Sequence, residues 1–353
     1  MSRAALDAVI ARIEPVDRAA GGAAQGAFDR KTKPRGSLGE LESLACRVAA
    51  IRGTAFPGRL RAAVVLAAGD HGYAAREVSA YPQEVTGQML ANFASGGAAV
   101  NVLARETGAQ LVVVDAGVAA PVEHEAIRQL RLGAGTADAT GGPAMTPDQA
   151  LAGLRSGAEI AAELAAGGTG IIATGDMGIG NTTAAAALCA ALLPADPEAV
   201  SGRGTGLDDA GLARKVETVR RALTVNAVGA ADPVGALASV GGFELAVLAG
   251  VCLGAAAEGC VVLLDGFVTG AAALVAARLA PEAAGFMVAS HRSPEPGHAL
   301  VLADLGLRPL LDLRLRLGEG SGALLALPLV HASLALLADM ATFDAAGVTD
   351  AGA

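Results

Sequence analysis

Aromatic side chains are scarce in this 353-residue chain, which has no tryptophan, two tyrosines and seven phenylalanines, and its formal net charge is −9. A nucleic-acid surface needs basic patches and stacking rings, so both shortages argue against one and favour a small-molecule partner. Cysteine is sparse as well. Cys46, Cys189, Cys252 and Cys260 stand far apart among alanines, valines and leucines, which excludes a disulfide framework or a CxxC metal site and leaves four small buried apolar residues. The five histidines form no HxxxH or HExxH pair, so no metal is expected. The most apolar stretches are also interrupted. Residues 245–257 and 259–280 are interrupted by Glu258 and Asp265, and each run falls short of the roughly 20 residues a membrane span requires. The mean hydropathy of +0.48 is inflated by 47 glycines and many alanines. The N-terminal "MSRAALDAVIARIEPVDRAA" reads as an amphipathic helix carrying acids, not as a signal peptide. A globular cytoplasmic protein with no membrane segment is expected, large enough for one big domain or one plus a lesser one.

What the chain does contain is one local grammar used repeatedly. A short apolar run meets an abrupt glycine or acid, and an alanine-rich helical stretch follows. "AAVVLAAGDHG" (62–72) ends at Asp70, "QLVVVDAGV" (110–118) near Asp115, "GIIATGDMG" (170–178) at Asp176, "CVVLLDGF" (260–267) at Asp265 and "GFMVASHRS" (285–293) at Ser290. Apolar runs of this length without alternation mark strands buried on both faces, and helices between them supply the crossovers of a parallel sheet. The fold class predicted is therefore α/β, a Rossmann-like parallel sheet flanked by helices. In such sheets ligands sit beyond the carboxyl ends of the strands, so Asp70, Asp176, Asp265 and Ser290 should share one rim, although any one of them could simply cap a helix. The first 60 residues and the last 35 or so lack buried-strand runs. Residues 1–60 and 320–353 are accordingly read as a small helical subdomain, and 61–319 as the large α/β domain.

Three stretches carry chemistry. "GDMGIGNTT" (175–183) has the GxxxxG spacing of a phosphate loop, with Thr182 as its hydroxyl, yet Asn181 stands where the loop's lysine belongs. It follows a predicted strand and precedes a strong helix, so its N–H groups and the positive helix terminus suit an anion, and without the lysine a monophosphate better than a triphosphate. "SGRGTGLDDAGLARKVE" (201–217) is a second glycine loop with Lys215 on the next helix; an ordinary turn with a surface lysine is the competing reading. "LRLGEGSGALL" holds Glu319 between two glycines after an apolar segment. Glycines there let the backbone approach a ligand, and desolvation raises the carboxyl's pKa toward general-base use; a plain helix-start acid would look the same. Ser79, Tyr81, Gln83 and Gln88, interleaved with Val78, Val85, Met89 and Leu90, make a mixture fit for a flat aromatic ligand or an amphipathic helix start.

Eight motifs in order, "TKPRGSLGELE" (32–42), "GDHG…VSAYPQEVT" (69–86), "GDMGIGNTT", "GRGTGLDD" (202–209), "VGGFE" (240–244), "DGFVTGAAAL" (265–274), "SHRSPEPGH" (290–298) and "RLGEGSGA" (316–323), together resemble the nicotinate-nucleotide–dimethylbenzimidazole phosphoribosyltransferase family over about residues 30–345. The resemblance implies transfer of a phosphoribosyl group from nicotinate mononucleotide to 5,6-dimethylbenzimidazole, with Glu319 as catalytic base, Asp176 as a second catalytic residue, and no cofactor. It places Ser79, Tyr81 and Gln88 in the base-binding stretch. Gly175, Gly178, Gly180, Asn181, Thr182, Gly202, Lys215, Asp265 and Ser290 fall in stretches that resemble the phosphate and ribose site. It also implies a homodimer, with the terminal helices as candidate interface. Two departures stand out: Asp176 where the family usually has glutamate, about 1.5 Å shorter in reach, and Arg35 where a second proline is common. Two other classes fit the glycine loops alone: a phosphoribosyltransferase or nucleosidase using another base, and a non-catalytic nucleotide sensor, which has no use for an acid at Glu319.

Overall fold

A computed structural model describes residues 3–349; residues 1–2 and 350–353 of the predicted terminal subdomain lie outside the described residues. Six parallel strands form one sheet: β1 Arg61–Gly69, β2 Gln110–Gly117, β3 Ile127–Gln129, β4 Thr169–Met177, β5 Val261–Leu264 and β6 Met287–Ala289. Their order across the sheet is β3-β2-β1-β4-β5-β6. The chain builds outward from β1 in one direction and then, from β4, in the other. This order reverses between β1 and β4, where neighbouring crossovers leave on opposite sides and open a crevice at the carboxyl ends. The five apolar runs form β1, β2, β4, β5 and β6, and the α/β parallel sheet is as expected. β3 escapes the sequence pattern, because its three residues centre on Arg128 and form no apolar run.

The abundance of glycine and alanine is a packing requirement. The helix Phe243–Ala257, wholly apolar after Glu244, is buried against the helix Pro147–Ala166. A Cβ on Gly157 would lie 1.9 Å from the Val247 carbonyl oxygen, and one on Gly250 would lie 1.9 Å from that of Leu154. The two backbones touch, and any side chain at either glycine would force them apart.

Helices from both ends of the chain meet. Lys31 Nζ donates to the carbonyls of Ala338 and Met340, closing the end of the helix Ser321–Asp339. That helix is long and apolar enough to cross a membrane, but it runs through the protein's own core, beside β4 and β5. It continues through Pro328, which points outward, so only one intrahelical bond is lost there. "TKPRGSLGELE" folds around a buried ion pair, Lys33 Nζ to Glu42 Oε1 at 2.8 Å, while Arg35 is exposed.

Candidate active site

The carboxyl ends of β1 and β4 are pressed together at the crevice. A Cβ on Gly178 would lie 2.3 Å from the Gly69 carbonyl oxygen, so only glycine fits where the chain leaves β4. Gly180 turns at φ +96° into the helix Asn181–Leu192, whose first residues Asn181 and Thr182 line the cleft. The lysine missing from this loop arrives from another element. Lys215, on the helix Asp209–Asn226, is fully buried and donates to Thr182 Oγ1 at 2.9 Å and to the Gly202 carbonyl at 3.0 Å. It is no surface lysine. Burial pushes its amine down to about 8, while Glu295, 4.0 Å away, pulls the other way. Two glycine loops and one cation thus meet at a single helix N-terminus, the arrangement an anion requires.

Glu319 follows Gly318, which lines this crevice, on a backbone that few residues accept. Gly318, Glu319 and Gly320 all take left-handed conformations, at φ +81°, +63° and +82°. For a residue with a side chain this costs energy and persists only where the surroundings impose it. Here they do. The Glu319 N–H donates to the Asp176 carbonyl at 3.2 Å, and the next turn is held by Asp265, whose carboxylate accepts from the N–H groups of Gly320, Gly322 and Ala323 at 3.1, 2.7 and 3.0 Å. Gly175 passes directly beneath, where a Cβ would lie 2.7 Å from the Glu319 carbonyl oxygen.

The carboxyls gathered here are buried and perturbed. Glu319 is 4% exposed, and its Oε2 has no partner among the described residues. Desolvation raises its pKa, partly offset by the N–H of Val100. Asp176 Oδ2 accepts from Asn181 Nδ2 at 2.9 Å. Burial, then the neighbouring Asp265 and Glu244, hold Asp176 well above the ordinary aspartate range. Asp265 is pushed up to about 7 by burial in spite of its three N–H partners.

Asp176, Gly178, Asn181 and Thr182 line one cleft together with Leu315, Leu317 and Gly318. Met177, Ile179, Phe267 and Val268 give it apolar walls. Ser79 reaches its rim, its hydroxyl 3.3 Å from that of Thr205, whereas Tyr81 is 54% exposed. Gln88 instead lines a separate open depression with Asp70, Gln83, Val118 and Val122. The side chains of Asp265 and Ser290 are both engaged within the protein: Ser290 Oγ donates to the Asp265 carbonyl at 3.1 Å, and Ser293 is the serine of that motif that lines the cleft. Among the described residues no group of three or more His, Cys, Asp or Glu side chains is placed to hold a metal ion.

Sequence reasoning missed Glu295, which lines the cleft, and a fully buried pair behind it, His71 Nε2 to Glu244 Oε1 at 2.8 Å. Both lie in motifs quoted above, "SHRSPEPGH", "GDHG" and "VGGFE", but nothing local joins His71 to a residue 173 positions away.

A family profile described as phosphoribosyltransferase matches residues 13–348. The chain is 51% identical over 343 residues to nicotinate-nucleotide–dimethylbenzimidazole phosphoribosyltransferase of Desulforudis audaxviator, covering 97% of each. With the protein of the same name from Pseudomonas putida it shares 50% over 338 residues, 96% of each chain. The crystal structure of CobT from Thermus thermophilus superposes with a TM-score of 0.90 at 48% identity, covering 94% of this chain and 99% of that one. On sequence and fold alike, the chain belongs to the nicotinate-nucleotide–dimethylbenzimidazole phosphoribosyltransferase family.

Proposed function

We propose that the chain transfers the phosphoribosyl group of nicotinate mononucleotide to 5,6-dimethylbenzimidazole, with Glu319 as base and the Asn181 helix terminus, Lys215 and the Gly202–Gly204 loop as the 5′-phosphate cradle. Glu319 takes the ring N–H proton of the benzimidazole, and the opposite ring nitrogen attacks C1′. The C1′–nitrogen bond to nicotinate breaks with its electron pair going to the pyridine nitrogen. Attack from the face opposite the leaving base inverts the β-nucleotide to the α-ribazole 5′-phosphate. No electron or group is left over, so the balance calls for no cofactor.

The observation that carries these roles is the unpartnered Oε2 of Glu319, buried beside the cleft on a backbone pinned at both ends. A desolvated carboxylate is a stronger base than one in water, and the pinning fixes its aim before substrate arrives. Burial and the neighbouring Asp265 and Glu244 raise the Asp176 pKa, which lessens the negative charge set beside Glu319 and the phosphate. The apolar walls at Met177, Ile179, Leu315 and Leu317 suit a flat ring, and the net charge of −9 accords with small-molecule substrates and not nucleic acid. We read the enzyme as a cytoplasmic homodimer whose terminal helices, with 320–353, form the lesser subdomain.

The test is incubation of the purified protein with both substrates and chromatography of the products. Nicotinate released together with α-ribazole 5′-phosphate supports the assignment. Nicotinate released without the coupled nucleotide points to a hydrolase or another acceptor, and binding without turnover to a sensor.

A further inference from the structure

Glu295 is an acid built into an anion cradle. It lies between Pro294 and Pro296, is 9% exposed and lines the cleft. Its Oε1 accepts the Gly204 N–H at 2.8 Å, and its Oε2 lies 4.0 Å from Lys215 Nζ, buried with no hydrogen-bond partner among the described residues. The approach is possible only because residue 202 has no side chain. A Cβ on Gly202 would lie 2.3 Å from Oε2 and 2.7 Å from Oε1. Lys215 meets only the neutral oxygens of Thr182 and Gly202 besides, so this carboxylate is the one anion facing it among the described residues.

Taking the phosphate cradle as read above, we infer that Glu295 competes with the substrate's 5′-phosphate for Lys215 and the Gly204 N–H, and so sets how tightly the enzyme holds phosphorylated ligands. A carboxylate and a phosphate dianion cannot share two donors at this spacing, because like charges brought together in a site shielded from water repel strongly. Phosphate entry therefore drives the carboxylate off Gly204, and part of the phosphate's binding energy is spent on that exchange. The same carboxylate favours the protonated form of Lys215, so the amine keeps its charge for the incoming phosphate. A ligand without a phosphate gains nothing from the exchange.

Glu295→Gln isolates the charge, since the amide oxygen can still accept from Gly204 and hold the loop. The probes are inorganic phosphate, as a competitor of nicotinate mononucleotide, and nicotinate riboside, all measured at neutral pH where the Lys215 amine is protonated. The expected result is that phosphate and nicotinate mononucleotide bind at least about tenfold more tightly to the variant, with riboside binding unchanged. Glu295→Asp, which keeps the charge but withdraws it by about one carbon–carbon bond, should fall between the two. Phosphate binding that is unchanged or weaker in Glu295→Gln, in a variant with the parent's melting temperature, overturns the inference and makes Glu295 a loop anchor. If phosphate fails to compete in the parent protein, the cradle itself is refuted and this inference falls with it.

Discussion

Replacing Glu319 with glutamine removes the proposed base while keeping its shape. The side chain is 4% exposed and its Oε2 contacts no donor among the described residues, so the amide meets neither a clash nor a broken bond there, and the left-handed backbone is held by Asp176 and Asp265, not by the carboxylate. Loss of a positioned general base costs about 10²- to 10⁴-fold in rate, or about 2.7–5.4 kcal/mol of transition-state stabilisation. The loss should fall on kcat, with KM for both substrates within about threefold of the parent, because the base acts only as the proton leaves. The parent's acid limb should lie above the ordinary glutamate range, since burial raises this carboxyl and only its ionised form accepts a proton; the variant should lack that limb. Stability should move the other way. A carboxyl whose pKa is raised on folding contributes stability that is full below its ordinary value of 4.5 and lost as pH rises through the raised value. At neutral pH the neutral amide should therefore melt no lower than the parent. Steady-state kinetics from about pH 5 to 9, a range that brackets an elevated carboxyl, with melting curves over the same range, separate these effects. Unchanged turnover, or an acid limb that survives the substitution, would refute Glu319 as the base.

Lys215→Met should raise KM for nicotinate mononucleotide by about 10- to 150-fold, corresponding to about 1.5–3 kcal/mol for a charge-assisted hydrogen bond, and leave KM for the benzimidazole nearly unchanged. In the parent, phosphate affinity should decline as pH rises through about 8, where this buried amine loses its proton; a competition titration with inorganic phosphate reads both. Asp176→Asn should flatten the stability profile, because the parent's raised carboxyl withdraws stability as pH climbs above its ordinary 3.8, and denaturant midpoints at several pH values would show it. Gly175→Ala puts a methyl 2.7 Å from the Glu319 carbonyl oxygen. It should cost about 1–3 kcal/mol of stability together with a fall in kcat, and a fall in stability alone would separate the Gly175 contact from the aim of the base.

Legibility from sequence follows the range of the interaction concerned. The strand ends, the phosphate loop and the glycine-flanked acid are local patterns, so Asp176, Thr182 and Glu319 stand out from the residues alone. What is not legible is which residue each of them meets. Thr182 finds its cation in Lys215, and Asp265 spends its carboxylate on N–H groups 55 to 58 positions later. The helix-capping alternative therefore describes the Asp265 side chain well, yet the cap it makes holds the backbone immediately after Glu319. Glu295 gives no signal because an acid between two prolines looks like loop punctuation until Gly202 and Lys215 are brought against it. The missing lysine at position 181 illustrates the same limit. A motif states which backbone will cradle an anion, whereas the charge that neutralises it can come from any helix that the sheet order brings alongside. With β4 adjoining the point where the strand order reverses, Asp176, Asn181 and Thr182 are carried to that crevice. Its acids are separately placed: Asp265 under backbone donors, Asp176 on Asn181, and Glu319 with one oxygen unpartnered among the described residues.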